Sequence, residues 1–469
     1  PNARIVYASA TGATDVSNLR YAERLGLWGE DTAFRNGDDF VAQVSSGGIA
    51  AMELVAQNMK AQGMYLSRNI SYDGVEYDRL IHKLTKQQKE TYDTLAEAWQ
   101  IIFQHTNDAL KATEYLKGSN ALSVFWSSQQ RFFNTVLTSM QTPSVIKDIE
   151  KELKKGHSAV IQLTSTKEAA QKKELERIKD EGLSLEDMDL TPRELIMSYL
   201  ENAFPVVQHQ AVKDEKGNIS YNPVYDSHGK PVLNKEAVRM REELLDKIAS
   251  IKMPDSPIDM IINHFGTDIV AENTGRSMRI VEKEGKRVQE KRSAASKEAD
   301  VDAFQNGRKR IMIFSQAGGT GKSYHADRNA ENQQRRIHYL LEAGWKADSA
   351  VQGFGRTHRS NESSAPVFKL VTTDAKGQSR FISTIAKRLS QLGALTKGLS
   401  KTGSQGIFNS EDNLENGIAG DTLAIFYTKL ANGTISGIDG MDIIEKLGIK
   451  NSLLDEYGAI KNTSDDLGL

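Results

Sequence analysis

The chain has 469 residues and a net charge of −2, with 60 basic and 62 acidic side chains, 39% hydrophobic residues and no cysteine. This composition excludes disulfides, thiol catalysis and cysteine-based zinc sites, and it confines any nucleic-acid-binding surface to a local patch. No apolar run is long enough to cross a bilayer, no secretory signal pattern is present, and the length favours two or three lobes.

The first 150 residues are predicted to be mainly helical after a short strand. Arg4–Ala8 has the pattern of a strand, and because Pro1 opens the chain almost directly into it, we expect a fragment or a processed product. Gly48–Met59 carries apolar residues at helical spacing. Residues 71–150 are predicted to be largely helical, with Thr85 as a helix N-cap.

From residue 156 onward, short apolar runs alternate with helical segments. Residues 167–205 are charged and helical in pattern, and the glycine- and proline-containing stretch 212–236 is predicted to form a surface hairpin. The predicted strands are Ala159–Leu163, Asp268–Glu272, Arg310–Phe314, Arg336–Leu341 and Val367–Val371, with helices at Ile258–Phe265 and near Asp348. Strands separated by helices predict an α/β fold with a parallel sheet flanked by helices. Residues 396–469 are predicted to form a small accessory region.

The segment Ala317–Ser323 has some features of a phosphate-binding P-loop. A P-loop requires glycine at both ends of its four-residue span, and Gln316 occupies the first of these positions. The residues after Lys322 are too polar to pack the helix into which a P-loop runs. We therefore favour a glycine-rich turn after a buried strand, with a self-sufficient NTPase that uses Lys322 as the alternative.

The strongest candidate site lies between Gln352 and Arg359. If Asp348 caps a helix, Gln352, Arg356 and Arg359 follow at i, i+4 and i+7, on one face. Two guanidiniums on one face can clamp a polyphosphate and stabilise charge on a transferring γ-phosphoryl group. Each glycine inside a helix costs about 1 kcal/mol, which is understandable if another backbone or a ligand comes close. A solvated basic helix face is the alternative interpretation.

Several segments resemble motifs of superfamily-two helicases. Gln352-x-x-Gly355-Arg356-x-x-Arg359 resembles motif VI, whose arginines act as fingers on ATP held by the other lobe. The stretch 304–321 resembles motif V, in which backbone and threonine contact nucleic acid, and a nearby aspartate, here Asp327, senses the nucleotide. The run 157–166 resembles motif IV, and Ser9-Ala10-Thr11 resembles motif III, which couples ATP to nucleic acid.

In more detail, the chain resembles the strawberry notch family, which includes eukaryotic nuclear regulators and large phage or plasmid proteins. The similar segments, in chain order, are Tyr7–Gly12, Leu25–Gly29, Gly63–Tyr65, Phe125–Phe133, Ala271–Arg276 and Gln352–Arg359. The resemblance implies a RecA-like sheet and a role for each candidate residue. These roles are catalysis by Gln352, Arg356 and Arg359, nucleotide sensing by Gly321 and Asp327, coupling by Ser9 and Thr11, and nucleic-acid contact by Thr164, Ser165, Gly319, Thr320 and Arg276.

The resemblance also implies how the chain is organised. We expect the tail of a first RecA-like lobe at 1–70, a helical linker at 71–150 and a second lobe at 151–395 with an insertion near 165–250, ahead of the accessory region. ATP and Mg²⁺ are expected to bind only with an upstream lobe that carries the P-loop, and no metal ligand is expected in this chain.

The expected function is that of the C-terminal part of an ATP-dependent DNA helicase or translocase, with the isolated chain inactive. Its partners are nucleic acid, most plausibly DNA, and the upstream lobe, without a membrane. The expected location is intracellular, cytoplasmic in a bacterium or phage and nuclear in a eukaryote. The alternative is a catalytically inert helicase-like scaffold that binds DNA or protein partners in transcription control or phage DNA protection.

Two further features allow two interpretations each. Between Arg276 and Arg310, eleven Lys and Arg residues accompany six Asp and Glu residues, which fits a phosphate-binding surface or an exposed charged helix equally well. Trp126, Phe132 and Phe133 could stack on bases, but their helical spacing favours core packing.

Overall fold

A computed structural model of the chain describes residues 6–7, 16–30, 32–64, 74–115, 119–163, 192–213, 219–276, 278–283, 286–315, 321–342, 347–375, 377–378, 417–446 and 449–454. The strands are β1 Glu76–His82, β2 Ser158–Leu163, β3 His209–Lys213, β4 Ile219–Pro223, β5 Val270–Asn273, β6 Met278–Lys283, β7 Lys286–Lys291, β8 Ile311–Ser315, β9 Arg336–Leu340 and β10 Val367–Thr373. The helices are α1 Gly37–Ser46, α2 Gly48–Ala61, α3 Lys86–Ala112, α4 Ser119–Lys154, α5 Arg193–Asn202, α6 Lys235–Ala249, α7 Pro257–Phe265, α8 Ala294–Gln305, α9 Ala347–Phe354, α10 Gly417–Ala431, α11 Gly440–Lys446 and α12 Lys450–Leu453.

A six-stranded parallel sheet in the order β1-β10-β9-β2-β8-β5 forms the centre of the molecule. Strands β2, β8, β9 and β10 are buried along their whole length, as expected of parallel strands covered by helices on both faces. The core of the sheet is aliphatic, since Ile161 of β2 and Ile313 of β8 pair directly and are fully buried. The predicted α/β class with a RecA-like parallel sheet is confirmed, as are the five predicted strands to within a few residues.

The edge strand β1 was not predicted. Residues 71–150 are predicted to be largely helical, yet Glu76–His82 pairs with β10 in parallel register at all seven positions. The sequence does not reveal this strand, because its polar and apolar residues do not alternate: Asp78 and Arg79 are adjacent polar residues, and the apolar Ile81 is exposed. The end of β1 is fixed to the end of β10, because the Leu84 amide donates to Asp374 at 3.0 Å.

Four helices form a second core beside the sheet. Helices α3 and α4 pack with α5 and α6 around buried aromatic and aliphatic side chains. Thr85 caps α3 through a capping box with Gln88, which confirms the predicted N-cap. Phe132 and Phe133 of α4 are buried in this core and Trp126 packs against it, which favours their packing interpretation over base stacking.

The predicted surface hairpin is confirmed and lies beside this helical core. Strands β3 and β4 pair in antiparallel register, and the bridges Val207–Leu233 and Tyr225–Pro231 continue the hairpin towards α6. The ring of Tyr115, after α3, stacks on His209 of β3 with 4.3 Å between centroids. The hairpin is therefore attached to the linker helices rather than to the sheet.

The two ends of the chain form smaller clusters. The predicted helix at Gly48–Met59 is confirmed as α2, which packs with α1 around Phe40 and Met52. Of the predicted strand at Arg4–Ala8, Val6 and Tyr7 are described, and they are irregular. Near the other end, α10, α11 and α12 enclose a small apolar cluster. Within the described part of the chain, no helix has the length and apolarity that a membrane crossing requires.

Candidate functional site

The candidate arginines lie in a turn rather than on a helix. The prediction that Gln352, Arg356 and Arg359 share one helix face is wrong for the two arginines, because α9 ends at Phe354, before either of them. Asp348 is the second residue of α9 and does not precede it as a cap. After Phe354 the backbone hydrogen bonds span three residues, as in a 3₁₀ turn. The Arg356 amide donates to the carbonyl of Gly353 at 2.9 Å, and the Thr357 amide donates to that of Phe354 at 3.1 Å. Gln352 is exposed on α9.

Arg356 connects this turn to the loop that follows β8. Its Nη1 donates to the backbone oxygen of Lys322 at 3.1 Å, and its own backbone oxygen accepts from the Tyr324 amide at 2.6 Å. Gly321, with a left-handed φ of 77°, allows the chain to turn just before Lys322. The structure therefore brings Gly321 and Arg356, predicted from two separate motifs, to one place.

Arg359 is held by the residues of its own turn. Its Nε donates to the carbonyl oxygen of Gly355 at 2.6 Å, and its amide donates to a carboxylate oxygen of Glu362 at 3.0 Å. The other oxygen of Glu362 lies 3.0 Å from Nδ1 of His358. Glu362 therefore fixes the backbone of Arg359 without neutralising its guanidinium.

The guanidiniums of Arg356 and Arg359 are half-buried, and the described part of the chain places no carboxylate against either of them. Burial and then the charge of Arg359 lower the pKa of Arg356 from its ordinary value. Among the described residues, neither Arg356 nor Arg359 forms an ion pair with a carboxylate. Two like charges that are partly desolvated and unneutralised create a site that favours an anion.

Asp327 joins the loop after β8 to the arginine turn. Its Oδ1 accepts from the Asn361 side chain at 2.8 Å, and its backbone forms an antiparallel bridge with Glu362. Asn361 has a φ of 69°, a left-handed conformation that asparagine tolerates better than most residues. Asp327 thus lies within reach of the arginine turn, and its nucleotide-sensing role stays a prediction. Sequence reasoning missed Asn361 and Glu362, although Asn and Glu shortly after an arginine motif are ordinary turn-fixing residues.

The arginine turn is supported by buried polar side chains of the sheet. His338 of β9 is fully buried, with Nδ1 2.7 Å from Oγ1 of Thr357 and Nε2 3.0 Å from Oε1 of Gln162 in β2. The Gln162 side chain lies directly against Gly353, where a Cβ would come within 2.1 Å of its amide group. The sequence predicts that another backbone or a ligand approaches the glycines closely, whereas the close neighbour of Gly353 is the Gln162 side chain.

Gly353→Ala is expected to destabilise the chain by about 2 kcal/mol or more, because a new Cβ would overpack this site or displace Gln162 from His338. Chemical unfolding monitored by circular dichroism measures the change. Gly377→Ala is the matched control, since no atom of the described residues lies within 4 Å of the added Cβ there. An unchanged unfolding midpoint for Gly353→Ala would show that the helix shifts to accept the methyl group.

Arg276 lies in a buried ion cluster and not on a nucleic-acid-binding surface. Its guanidinium bonds to Glu272 through two nitrogens, at 2.8 and 3.0 Å, and to Asp259 at 2.8 Å, and its side chain is 2% exposed. Burial alone would raise the pKa of Glu272, but Arg276 and its hydrogen bonds bring it down to about 2. The predicted contact between Arg276 and nucleic acid therefore does not fit the structure, because no part of the guanidinium reaches the surface.

Four of the ten other basic residues between Arg276 and Arg310 are also engaged internally. Arg279 pairs with Glu290, and Arg292 and Lys309 both pair with Asp300. Arg310, the last basic residue of the segment, donates to backbone carbonyl oxygens of α4 and the residue before β2. The phosphate-binding interpretation of 276–310 therefore loses part of its support.

The other predicted site residues lie outside the described part of the chain, and the surroundings of Lys322 do not match those of a P-loop lysine. Ser9, Thr11, Thr164, Ser165, Gly319 and Thr320 lie outside the described residues. No helix begins between residues 321 and 335, and Lys322 forms an ion pair with Glu298 of α8. A P-loop lysine followed by a helix is thus not the arrangement here. Among the described residues, no three His, Asp or Glu side chains are grouped to hold a metal ion.

Comparison with known proteins matches two family models, one to each end of the chain. A family model described as the C-terminal domain on strawberry notch homologues matches residues 256–467, and one described as P-loop containing NTP hydrolase pore-1 matches residues 1–94. The first of these contains the arginine turn, Asp327 and the ion cluster around Arg276.

Individual relatives agree with these matches. The strawberry notch homolog 1 protein of Rattus norvegicus is 32% identical, covering 92% of this chain and 40% of the relative. The FORGETTER 1 protein of Arabidopsis thaliana is 28% identical, covering 91% of this chain and 42% of the relative. The strawberry notch homolog 2 protein of Mus musculus is 32% identical, covering 85% and 35%. The chain thus spans about 40% of the length of such relatives.

Proposed function

The chain belongs to the strawberry notch family of helicase-like P-loop NTPases, and from this we propose that it provides the arginine-bearing lobe of an ATP-dependent DNA motor. In this proposal ATP and Mg²⁺ are held by the P-loop of another RecA-like lobe of the same full-length protein. Arg356 and Arg359 approach the γ-phosphate when the two lobes close. The intracellular location expected from composition is part of the same proposal.

The observation that carries the proposal is a pair of arginines that form no ion pair with any carboxylate of the described residues. Arg356 and Arg359 are half-buried and close enough for the charge of one to lower the pKa of the other. Such a pair is unfavourable alone, and a triphosphate would neutralise it through charge-assisted hydrogen bonds. Positive charge placed where the transferring phosphoryl group develops negative charge is the main way in which proteins catalyse this reaction.

In this mechanism the residues of the chain position charge. Glu362 fixes the backbone of Arg359, while Asp327 and Asn361 hold the arginine turn against the loop after β8. Each guanidinium makes one described hydrogen bond to a carbonyl oxygen, so most of its donors are free to turn towards a phosphate. Gln352 is exposed on α9, and the proposal gives it the role of orienting a water or a phosphate oxygen.

Nucleic acid is proposed to bind at the carboxyl ends of the parallel strands. Ligands of open α/β sheets bind at this edge, and Thr164, Ser165, Gly319 and Thr320 follow β2 and β8 there in sequence. Gly321 and Asp327 continue the same loop towards the arginine turn. DNA bound at this edge would then act on the position of Arg356 through the loop that Arg356 contacts.

The first test is calorimetric titration of the chain with ATP and Mg²⁺, repeated with Lys322→Ala. We expect no binding, or weak binding that is the same in both proteins, because the P-loop is assigned to another lobe. Tight binding that Lys322→Ala abolishes would contradict the proposal and make the chain an NTPase by itself. DNA-stimulated ATP hydrolysis by the full-length protein is expected, and its absence would favour an inert scaffold.

A further inference from the structure

His338 stands out as a buried titratable group that the proposed mechanism does not use. Its ring is surrounded by Phe314, Phe354 and Phe368, with centroid distances of 5.4–5.7 Å. Burial lowers its pKa to about 3, so the imidazole is neutral at physiological pH. A phenylalanine would fill this aromatic pocket without a polar group, so packing alone does not explain a histidine here.

The hydrogen bonds of His338 fix its tautomer and its direction. Oε1 of Gln162 can only accept, so Nε2 carries the proton and donates across 3.0 Å. Nδ1 then accepts the hydroxyl hydrogen of Thr357 across 2.7 Å, a shorter contact than the 3.3 Å from the same hydroxyl to the carbonyl oxygen of Phe354. The three side chains form one chain of hydrogen bonds, from Thr357 through His338 to Gln162, inside an apolar pocket.

This chain connects two places that the proposed function needs to keep aligned. Gln162 is the last residue but one of β2, whose carboxyl end leads to the predicted nucleic-acid contacts. Its carbonyl oxygen also accepts from the Leu341 amide at 3.1 Å, just after β9. Thr357 directly follows Arg356 in the arginine turn. The Gln162 amide lies against Gly353 of α9, so a shift of Gln162 reaches the turn through two routes.

We propose that His338 is a positioning residue that keeps the turn bearing Arg356 and Arg359 in register with the carboxyl end of β2. A buried polar chain of this kind is costly when one member loses its partner, so it has one preferred arrangement. Movement at the end of β2 is thereby transmitted to the arginines. The functional consequence of this inference rests on the proposed motor function, whereas the hydrogen bonds from which it is drawn do not.

The functional test uses His338→Phe in the full-length protein. We expect DNA-stimulated ATP turnover to fall by about tenfold, while basal turnover, the KM for ATP and the Kd for DNA stay within about twofold. Equal losses of basal and stimulated turnover, or no loss, would overturn the inference. Gln141→Leu is the control, because it too removes a buried polar side chain bonded next to β9 but does not touch His338.

A second measurement separates this inference from the proposed function. Amide hydrogen exchange of Thr357 and His358 is compared for Gln162→Leu in the wild-type background and in the His338→Phe background. We expect Gln162→Leu to speed exchange by about tenfold only where His338 is present, because coupled neighbours are not additive. Equal acceleration in both backgrounds would overturn the inference, whether or not the full-length protein hydrolyses ATP. Absence of hydrolysis with the expected coupling would instead count against the motor.

Discussion

Replacing Arg356 or Arg359 with alanine is expected to lower DNA-stimulated ATP turnover of the full-length protein by about 10³-fold or more, the range of arginine fingers in other phosphoryl-transfer enzymes. The loss should fall on kcat more than on the KM for ATP, because the arginines act mainly on charge that develops in the transition state. Lysine at either position is expected to restore little, since it lacks the planar fork of donors. Steady-state kinetics at saturating DNA measure these effects.

The fold should survive both alanine substitutions. Each guanidinium makes one described hydrogen bond to a carbonyl oxygen, so the expected loss of stability is about 2 kcal/mol at most. Arg239→Ala is the control, because Arg239 is exposed on α6 and pairs with Glu243 in the next turn. Wild-type turnover in Arg356→Ala and Arg359→Ala would refute the arginine-finger assignment and leave the pair without a catalytic role.

Arg276→Ala is expected to lower the free energy of unfolding by about 3–5 kcal/mol, because removing one partner of a buried ion pair leaves the others uncompensated. Glu272 and Asp259 would both remain buried without their shared cation. Urea unfolding of the chain measures the loss. Arg308→Ala serves as the control, since Arg308 is an exposed arginine that bonds to Asn306 two residues away.

This experiment also decides between the two assignments of Arg276. If Arg276 is a structural cation, Arg276→Ala causes a large loss of stability, and DNA binding falls only as far as the fraction of folded molecules falls. A nucleic-acid contact, as the sequence predicted, gives an unchanged unfolding midpoint and weaker DNA binding. We expect the first result, because the 2% exposure of the side chain leaves no surface for a phosphate.

The central strands could be predicted from the sequence, and the edge strand could not. Strand β8 is apolar at every position but its last, because both of its faces are covered by helices. Strand β1 has one open edge and exposed polar positions, so its residues carry no clear periodicity. Its place in the sheet depends on pairing with β10, nearly 300 residues away, which no local pattern records.

The candidate site was predicted in its residues but not in its geometry. The glycines and arginines between Gln352 and Arg359 identify the turn, but its departure from the helix depends on hydrogen bonds and on Gln162 packing against Gly353. The other difference between prediction and structure is the burial of Glu272 and Arg276. The sequence shows Glu272 four residues before Arg276, a spacing as typical of exposed helices as of a buried pair, so their burial could not be inferred.

The parallel pairing of β1 with β10 has a practical meaning for anyone who shortens this protein. A fragment that starts after His82 would keep both long helices and every other strand of the sheet, yet it would uncover the side of a fully buried seven-residue strand. Uncovered strand edges recruit strands from other molecules, so such a fragment would be expected to self-associate on expression. A truncation ahead of Glu76 is preferable, because it keeps β1 as the edge strand of the sheet.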